Sequence, residues 1–437
     1  MNLFKTIEKA VSSFADFMWS APFLTLGTVE IPFLLFLLLG GGVFFSIYSR
    51  FVPFKHFSHG VKILMGKYND PNDPGEITHF QALTSALAST VGLGNISGVA
   101  IAIQMGGPGA LFWMWISALL GMSTKFFSCT LSILYRGKDD QGQIQGGPMY
   151  YIENGLGKRF KPLSILFSLA GLIGCTVMFQ SNQLADIIRD QIFLPNNMFV
   201  ENALMGDFLQ GLIMAILTGF VIFGGIQRIG QVASYLVPIM VILYLLSGLL
   251  VILNHITEIP SLFALIVKDA FTGDAVMGGA VGAVIIAGVR RALFSNEAGL
   301  GTSDMAHGAA QTKEPVREGL VAMIEPFIDT IIVCTITALV ILSSGVWQVE
   351  GLNGVTMTTA AFIAELGSFG KFLLLSAVLT FSLSTMMSYS YYGSKCSGYL
   401  FGTNSIFYYR CFYVITIIVG AMITIDVVLS VVDGMYA

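Results

Sequence analysis

Long apolar segments alternate with short polar ones along almost the whole chain. Ten of them are long enough to cross the hydrocarbon core of a bilayer as helices, which takes about 20 residues. The pattern predicts an all-α protein that crosses a membrane ten times. A shorter apolar segment with three charged residues, 257–271, predicts an interfacial helix. The ten predicted spans are residues 30–49, 80–104, 109–135, 162–188, 206–224, 231–254, 277–298, 318–344, 371–394 and 408–432.

The composition agrees with this pattern. Of 437 residues, 55% are hydrophobic and 11% are charged, whereas soluble domains carry about 25% charged residues. The first twenty residues lack a basic start followed by an apolar run and a cleavage site, so we expect no signal peptide. The five cysteines are scattered and the histidines have no ligand spacing. We therefore expect neither a disulfide framework nor a transition-metal site.

Lys and Arg indicate the orientation of the spans. They concentrate in every second connection, which is typical of the cytoplasmic side of a membrane protein. This alternation places the N-terminus outside and starts the span at 80–104 from the cytoplasm. The basic side holds residues 50–67, 136–161, 228, 313–317 and 395–410, and the opposite side has only Lys5, Lys9, Arg189, Lys268 and Lys371.

The span at 80–104 is interrupted near its middle by Gly92, Gly94 and Asn95. These residue types disfavour a continuous helix. In hydrocarbon, backbone groups freed by a break need partners, so a broken helix occurs only where it lines a cavity or a bound solute. Secondary transporters place their binding sites at such breaks. The alternative is that both glycines only let a neighbouring helix approach closely.

A second polar, glycine-rich interruption, Phe294–Thr302, lies late in the span at 277–298. It comes five spans after the first, and repeats with an odd number of spans enter the membrane from opposite sides. The pattern therefore predicts two inverted five-helix repeats. We expect an N-terminal segment with an extra helix at 1–79, the first repeat at 80–254 and the second at 255–437.

Five motifs in a fixed order resemble those of the alanine/glycine:cation symporter family, whose members take up alanine or glycine with sodium. The resemblance runs from Thr78 to about Asp433 and implies a leucine-transporter-like fold, with one extra helix before the two inverted repeats. The motifs are Ser89–Ala100, Gly106–Trp115, Gly146–Glu153, Phe294–Gly301 and Ser390–Gly393.

The chain departs from the family pattern in three places. The family implies eleven spans and the pattern gives ten, so the last helix of the second repeat is apparently missing. Ser128 stands where the family often has Glu, and Tyr389 stands where it often has Trp. The change at Tyr389 bears on the substrate pocket.

The two breaks offer complementary groups for a zwitterionic amino acid. If the first broken helix enters from the cytoplasm, its second half begins near Asn95. The amides of Gly92 to Asn95 then lie at the positive end of a helix dipole and can bind a carboxylate. The carbonyls of 293–295 can accept the ammonium, and Asn296 is placed to cap the restarted helix.

Other side chains complete the predicted substrate site. By resemblance, Gln180 and Gln183 lie against the first broken helix and contact substrate or water, with a solvated helix end as the alternative. The aromatic rings leave room for a short substrate only if they point inward, and alanine or glycine is implied by the family alone. The predicted substrate-binding residues are Thr90, Gly92, Gly94, Asn95, Phe179, Gln180, Gln183, Phe294, Ser295, Asn296 and Tyr389.

A cation site is predicted beside the first break. The carbonyls of Ala88 and Val91 end the first half-helix, and a hard cation prefers such oxygens. The resemblance implies that Na+ is the co-transported ion and lies between these carbonyls and the span at 371–394. There Phe381 supplies a carbonyl, and Ser384 and Thr385 supply hydroxyls. The alternative for both hydroxyls is ordinary hydrogen bonding between helices.

Three carboxylates lie at membrane depth, where ionisable residues are functional candidates. For Glu297 we favour a structural pair with Arg290 or Arg291 over a role as proton carrier. Glu325 and Asp329 lie one turn apart. We expect them to form a buried network with the same arginines, with direct sodium binding as the alternative.

The sequence therefore predicts sodium-coupled symport of alanine or glycine by alternating access, in the cell membrane. The alternatives are a proton-coupled carrier and a passive channel, although no repeated filter loop or ring of like charges is visible. A membrane-embedded hydrolase would need a nucleophile and base, or metal ligands, at a common depth, so we predict no enzyme. The expected partners are the substrate, sodium and bilayer lipids, with no nucleic acid.

Overall fold

The computed structural model describes residues 22–26, 29–272, 281–425 and 428. Within them, seven helices are long and apolar enough to cross a membrane, and the bent pair His79–Thr90 and Gly94–Gly106 makes an eighth span. The seven are Ala110–Leu134, Lys158–Asn196, Ala203–Ile222, Gly225–Asn254, Pro315–Ser343, Gly354–Phe401 and Ser405–Met422.

Two further apolar helices, Phe33–Tyr48 and Val281–Asn296, have 16 residues each. With them, each of the ten predicted spans corresponds to a helix. Residues 1–21, 27–28, 273–280, 426–427 and 429–437 lie outside the described part of the chain. The predictions about a signal peptide and about the absent last helix therefore fall on residues that the structure does not describe.

Several spans are assembled from shorter pieces. The first of these spans comprises His79–Thr90, the π-helical turn Gly94–Gly98 and Val99–Gly106. The next comprises Lys158–Phe160, Lys161–Gly174, Met178–Ile188, Arg189–Phe193 and Leu194–Asn196. A third comprises Pro315–Ala322, Ile324–Pro326, Phe327–Cys334 and Thr335–Ser343.

The remaining elements are short. Two antiparallel strand pairs join Pro22–Leu26 to Val29–Pro32 and Gly137–Lys138 to Ile144–Gln145. The other helices are Val52–Lys55, Phe57–Leu64, Pro148–Leu156, Ile259–Thr272, Asp304–His307 and Val346–Gln348.

The first broken helix lies at the centre of the core. Every residue from 82 to 100 is buried, and the helix packs against Gly225–Asn254 and Gly354–Phe401. Most side chains in this stretch are those of Ala, Ser, Thr or Gly, which let neighbouring backbones approach closely. The sequence thus places its smallest residues where the helices crowd most.

The helix Gly354–Phe401 is 48 residues long because two helices join at Gly367, whose φ is 59°. The sequence analysis predicted only the part after this kink. Before it, Thr358 donates a hydrogen bond to the carbonyl of Ile96, at 3.0 Å. The segment before the kink is therefore attached to the second half of the first broken helix.

The outer helices expose large apolar side chains. Phe220, Ile239 and Leu253 are 75%, 57% and 62% exposed, on two helices that pass the length and hydropathy tests for membrane spans. Soluble monomers rarely expose contiguous apolar patches of this kind. The surface fits lipid, and the chain is a multi-pass membrane protein.

The short amphipathic helix expected near 257–271 is present as Ile259–Thr272. Its Asp269 is buried and accepts a hydrogen bond from the Gly109 amide, at 2.7 Å. Gly109 immediately precedes Ala110–Leu134, so the carboxylate also interacts favourably with that helix's dipole. Trp113 donates to the carbonyl of Ala270, at 3.2 Å, which fixes the short helix against the span.

We expect Gly288→Ala to destabilise the protein. A Cβ at Gly288 would lie 2.4 Å from the Ala110 carbonyl oxygen and 2.8 Å from the Trp113 Cβ. Overpacking of this kind costs ~1–3 kcal/mol, which thermal unfolding of the purified protein will measure. Gly41→Ala is the control, since nothing lies within 4 Å of the added Cβ. Equal stability of the two variants would contradict the close contact.

Candidate functional site

The first predicted interruption is present. The helix His79–Thr90 ends at Val91, whose backbone is extended at φ −73° and ψ 90°. The helix restarts at Gly94, and the two halves are bent by 50°. Because Val91 leaves the helical conformation, the amides of Leu93 and Gly94 have no preceding turn of helix to accept them.

The Asn95 side chain holds this break together. Its Oδ1 accepts a hydrogen bond from the Gly92 amide, at 2.8 Å, and the Asn95 amide donates to the Gly92 carbonyl, at 3.1 Å. The sequence analysis expected the amides of Gly92 and Asn95 to be free for a substrate, and for these two residues that expectation is wrong in this structure. The reason is that the Asn side chain is long enough to reach back to the residue three positions earlier.

Gly92 also requires its small size. A Cβ there would lie 2.5 Å from the Thr385 Oγ1. The first break is therefore in contact with the helix that carries the predicted sodium ligands. This contact favours the close-approach explanation for Gly92, and the broken backbone shows that the helix interruption is present as well.

The second predicted interruption is also present. The helix Val281–Asn296 ends two residues later than the expected Phe294, and the chain resumes a helix at Asp304–His307. Between them, Glu297, Gly299 and Gly301 have φ values of 55°, 104° and 78°. Such conformations suit glycine and cost energy at Glu297.

The two breaks touch each other. The Asn95 Nδ2 donates to the Ser295 Oγ at 3.1 Å and to the Asp329 Oδ1 at 2.7 Å. Ser295 in turn donates to the Asp329 Oδ2, at 2.7 Å. A Cβ on Gly94 would lie 3.3 Å from the Ser295 Cα, so the backbones themselves are adjacent. All these groups are buried.

The predicted partners of Asp329 were wrong. It was expected in a network with Arg290 or Arg291, whereas its carboxylate accepts from Asn95, Ser295 and Thr330. The available signal was a lone carboxylate in an apolar span, which marks a functional candidate. The sequence could not tell which of several polar groups at that depth would reach it.

The other two carboxylates also differ from expectation. Glu325 pairs with Lys125, at 2.7 Å, and Lys125 was not singled out although it lies inside a predicted span. Glu297 accepts a hydrogen bond from Thr302. Tyr389, a predicted substrate residue, packs against the Tyr392 ring, with centroids 5.6 Å apart.

Phe179 and Phe294 are brought together. Their rings meet edge to face with centroids 5.3 Å apart. Phe179 and Gln183 also line a cavity of about 510 Å³ that extends to Gln104, near the end of the first broken helix. Gln183 accepts a hydrogen bond from Ser97, at 3.1 Å, and is therefore attached to that helix.

Three predicted substrate residues have other neighbours. Gln180 is buried on the same helix as Phe179. Thr90 donates to its own helix at the Ala86 carbonyl, at 3.1 Å. Asn296 donates to Thr330 at 3.0 Å and accepts from the Ala298 amide at 3.0 Å. It therefore stabilises the turn at the second break rather than capping the helix at Asp304.

The predicted sodium ligands lie on both sides of one helix contact. Ala88 and Ser384 line the same small cleft, and Thr385 faces Gly92. Ser384 and Thr385 both donate to the Phe381 carbonyl, at 2.9 Å each. A hydroxyl that donates in this way still has oxygen lone pairs for a cation. Val91, the remaining ligand, is the extended residue of the first break.

A family model described as the sodium:alanine symporter family matches residues 7–437. The sodium/alanine symporter AgcS of Methanococcus maripaludis is 39% identical over 410 residues, which cover 92% of this chain and 88% of that protein. The probable sodium/glutamine symporter GlnT of Bacillus subtilis is 35% identical over 429 residues, which cover 98% of this chain and 85% of that protein.

Among solved structures, that of MhsT in complex with L-phenylalanine is similar, with a TM-score of 0.58 and 15% identity. The match covers 82% of this chain and 87% of that chain. This likeness concerns the fold alone, and it confirms the predicted leucine-transporter-like fold. Because the family model extends over nearly the whole length, the chain belongs to the sodium:alanine symporter family, a family of transporters rather than enzymes.

Proposed function

We propose that this protein carries a small neutral amino acid, alanine or glycine, across the cell membrane together with sodium. One observation carries the proposal: two broken helices meet at their breaks in the buried centre of the protein, at Asn95 and Ser295. Helix ends of opposite polarity then face a common point. A zwitterion requires that combination, with donors at one end and acceptors at the other.

The substrate carboxylate is proposed to bind at the start of the restarted first helix. The amides of Leu93 and Gly94 lie there at the positive end of the helix dipole. The ammonium is proposed to bind at the end of Val281–Asn296, where the last carbonyls form the negative end. Asn95 then acts by stabilising the broken backbone through the hydrogen bond that its Oδ1 accepts from the Gly92 amide.

Sodium is proposed to bind the carbonyls of Ala88, Val91 and Phe381 and the hydroxyls of Ser384 and Thr385. All five ligands are oxygens, which a hard cation prefers. The contact between Gly92 and Thr385 supports this placement, because it brings the first break against the helix with the hydroxyls. A cation there would join the two helices only when both are in place.

A short substrate side chain is supported by the aromatic residues near the breaks. Phe179 and Phe294 are in ring contact, and Tyr389 packs against Tyr392, which is hydrogen-bonded to Ser89 just before the first break. These rings restrict the space available beyond the α-carbon. A similar protein is a probable sodium/glutamine symporter, and glutamine has a longer side chain than alanine. Uptake of alanine and of glutamine should therefore be compared in this chain.

Transport is proposed to follow alternating access, with residues 80–254 and 255–437 as the inverted repeats. The cavity near Phe179 extends to the Gln104 end of the first broken helix. With the N-terminus outside, that end faces the outside of the cell.

Sodium coupling is tested by uptake of labelled alanine into proteoliposomes. An inward sodium gradient should accelerate uptake, because the ion and substrate bind together. A proton gradient without sodium is the comparison, since it would drive a proton-coupled carrier. Uptake at the same rate with and without sodium would overturn the proposed coupling. A flux per molecule far above the turnover rate of a carrier would indicate a channel.

We expect Thr385→Val to raise the sodium concentration for half-maximal uptake roughly tenfold, equivalent to ~1.4 kcal/mol. The variant removes one oxygen ligand and keeps the side-chain shape. Thr380→Val is the matched control, since Thr380 lies on the same helix and donates to the Ser376 carbonyl one turn earlier, at 2.9 Å. Equal sodium dependence in both variants would contradict the placement.

We expect Asn95→Ala to weaken alanine binding roughly tenfold to hundredfold. It removes the partner of the Gly92 amide and the Asn95 hydrogen bond to the Asp329 Oδ1, which costs ~1–3 kcal/mol in a buried site. Isothermal titration with alanine measures the change. The control is Asn154→Ala, because Asn154 is exposed and donates to the Tyr135 carbonyl, at 3.1 Å, away from both breaks. Unchanged alanine affinity in Asn95→Ala would contradict the proposed binding of the substrate carboxylate at the first break.

A further inference from the structure

A second buried polar group lies away from the proposed substrate and sodium sites. It is at the end of the molecule where the first broken helix begins, opposite the cavity near Gln104. Its five side chains come from both broken helices and two further spans, and each is at most 1% exposed. We call it the buried charge cluster, and its members are His79, Lys125, His307, Glu318 and Glu325.

Glu318 lies between the two histidines. Its Oε1 is 2.5 Å from the His307 Nδ1, and its Oε2 contacts the His79 Nδ1. His79 begins the first broken helix, and His307 ends the short helix after the second break. One carboxylate therefore joins the two elements whose breaks form the proposed substrate site.

His307 faces a carboxylate with each of its ring nitrogens. Its Nδ1 contacts Glu318, and its Nε2 lies 3.5 Å from the Glu325 Oε2, within ion-pair distance. A neutral imidazole carries one proton, so one nitrogen would present a lone pair to an anion. Among the described residues the Nε2 forms no hydrogen bond, but its position beside a second carboxylate favours the imidazolium form of His307.

His79 differs from His307 in this respect. Its Nδ1 contacts Glu318, and among the described residues its Nε2 forms no ion pair with a second carboxylate, whereas the His307 Nε2 lies 3.5 Å from Glu325. A neutral ring with the proton on Nδ1 satisfies every contact. The two histidines thus touch the same carboxylate, and of the two only His307 also lies within ion-pair distance of Glu325.

The charge balance agrees with this assignment. Lys125 pairs with Glu325 at 2.7 Å and also contacts Ser303. The positive charges of Lys125 and protonated His307 equal the negative charges of Glu318 and Glu325. Because an unbalanced buried charge is costly, loss of the proton from His307 would destabilise the closed cluster.

The neighbouring titratable groups have partners of their own. Asp304, on the same short helix, accepts from Ser128 at 2.8 Å and from Tyr151 at 3.1 Å. Glu297 accepts from Thr302. Arg136 donates to the Gly308 carbonyl, at 2.9 Å, and the Cys129 thiol lies 3.2 Å from the Asp304 Oδ1.

We propose that His307 is a proton-binding site that locks this end of the transport pathway. The proton is taken from solvent onto the imidazole when the end closes, and it returns to solvent when the helices carrying His79 and His307 move away from Glu318. The inference rests on the proposed alternating access. It does not depend on the identity of the substrate or on sodium coupling.

The direction of the pH effect follows from linkage. The closed end holds one proton more than the open end, so acid favours the closed form and alkali favours the open form. Between the pKa of His307 in the open form and its higher pKa in the closed form, the ratio of open to closed forms should rise about tenfold per pH unit.

Cys129 reports this opening in the natural chain. Its thiol is buried and donates a hydrogen bond to Asp304. Displacement of the helix Asp304–His307 would therefore expose the thiol. The purified full-length protein in nanodiscs is labelled with N-ethylmaleimide between about pH 6 and pH 9. Peptide mass spectrometry reads Cys129 separately from Cys411, which is half-buried and records the ordinary increase in thiolate. No transport is needed, so a failed uptake assay leaves this test intact.

We expect the ratio of Cys129 to Cys411 labelling to rise about tenfold per pH unit in the natural protein. The rise should persist in the matched control His79→Gln and disappear in His307→Gln. A flat ratio in the natural protein would overturn the proposal, as would a rise that survives in His307→Gln. Loss of the rise in His79→Gln would overturn the assignment of the proton to His307.

Glu325→Gln provides a second test that keeps His307 in place. Removing this anion weakens the attraction for the imidazolium in the closed form, so the rise should level off at a lower pH. A rise that levels off at the same pH as in the natural protein would contradict the bridging role. The measurement on the unmodified chain decides the proposal even where a variant does not fold.

Discussion

The structure depends on satisfying backbone groups where a helix stops inside a membrane. At the first break, the Asn95 side chain accepts from the Gly92 amide and donates to Asp329 and Ser295. One side chain thus satisfies a backbone amide of the break and joins the break to two other spans by hydrogen bonds. In hydrocarbon, where no water replaces a missing partner, this triple use allows a break to exist at the centre of the protein.

Much of the fold was predictable from the sequence because its signals are local and strong. Apolar length predicts the spans, and Gly92, Gly94 and Asn95 predict the first break, since these residues disfavour helix wherever they occur. The second break was placed within two residues of its observed start at Asn296. These predictions need no knowledge of which helices touch.

The pairing of buried polar groups was not predictable in the same way. Arg290 and Arg291 were expected to pair with Glu325 and Asp329, whereas Lys125 and Asn95 are the partners seen here. A helix face is known from spacing along the chain, but its neighbour depends on packing between distant segments. The prediction of a free amide at Gly92 is wrong for a related reason. The Asn95 side chain accepts a hydrogen bond from that amide and so competes with a ligand for it.

The hydrogen bond from Thr358 to Ile96 has a mechanical consequence. The segment between Gly354 and the kink at Gly367 cannot tilt independently of the second half of the first broken helix while this bond is kept. Gly367, where the two helices join, marks the far end of this attached segment. Gly354 and Thr356 line the Phe179 cavity, so that part of its wall moves with the half-helix while the bond is kept.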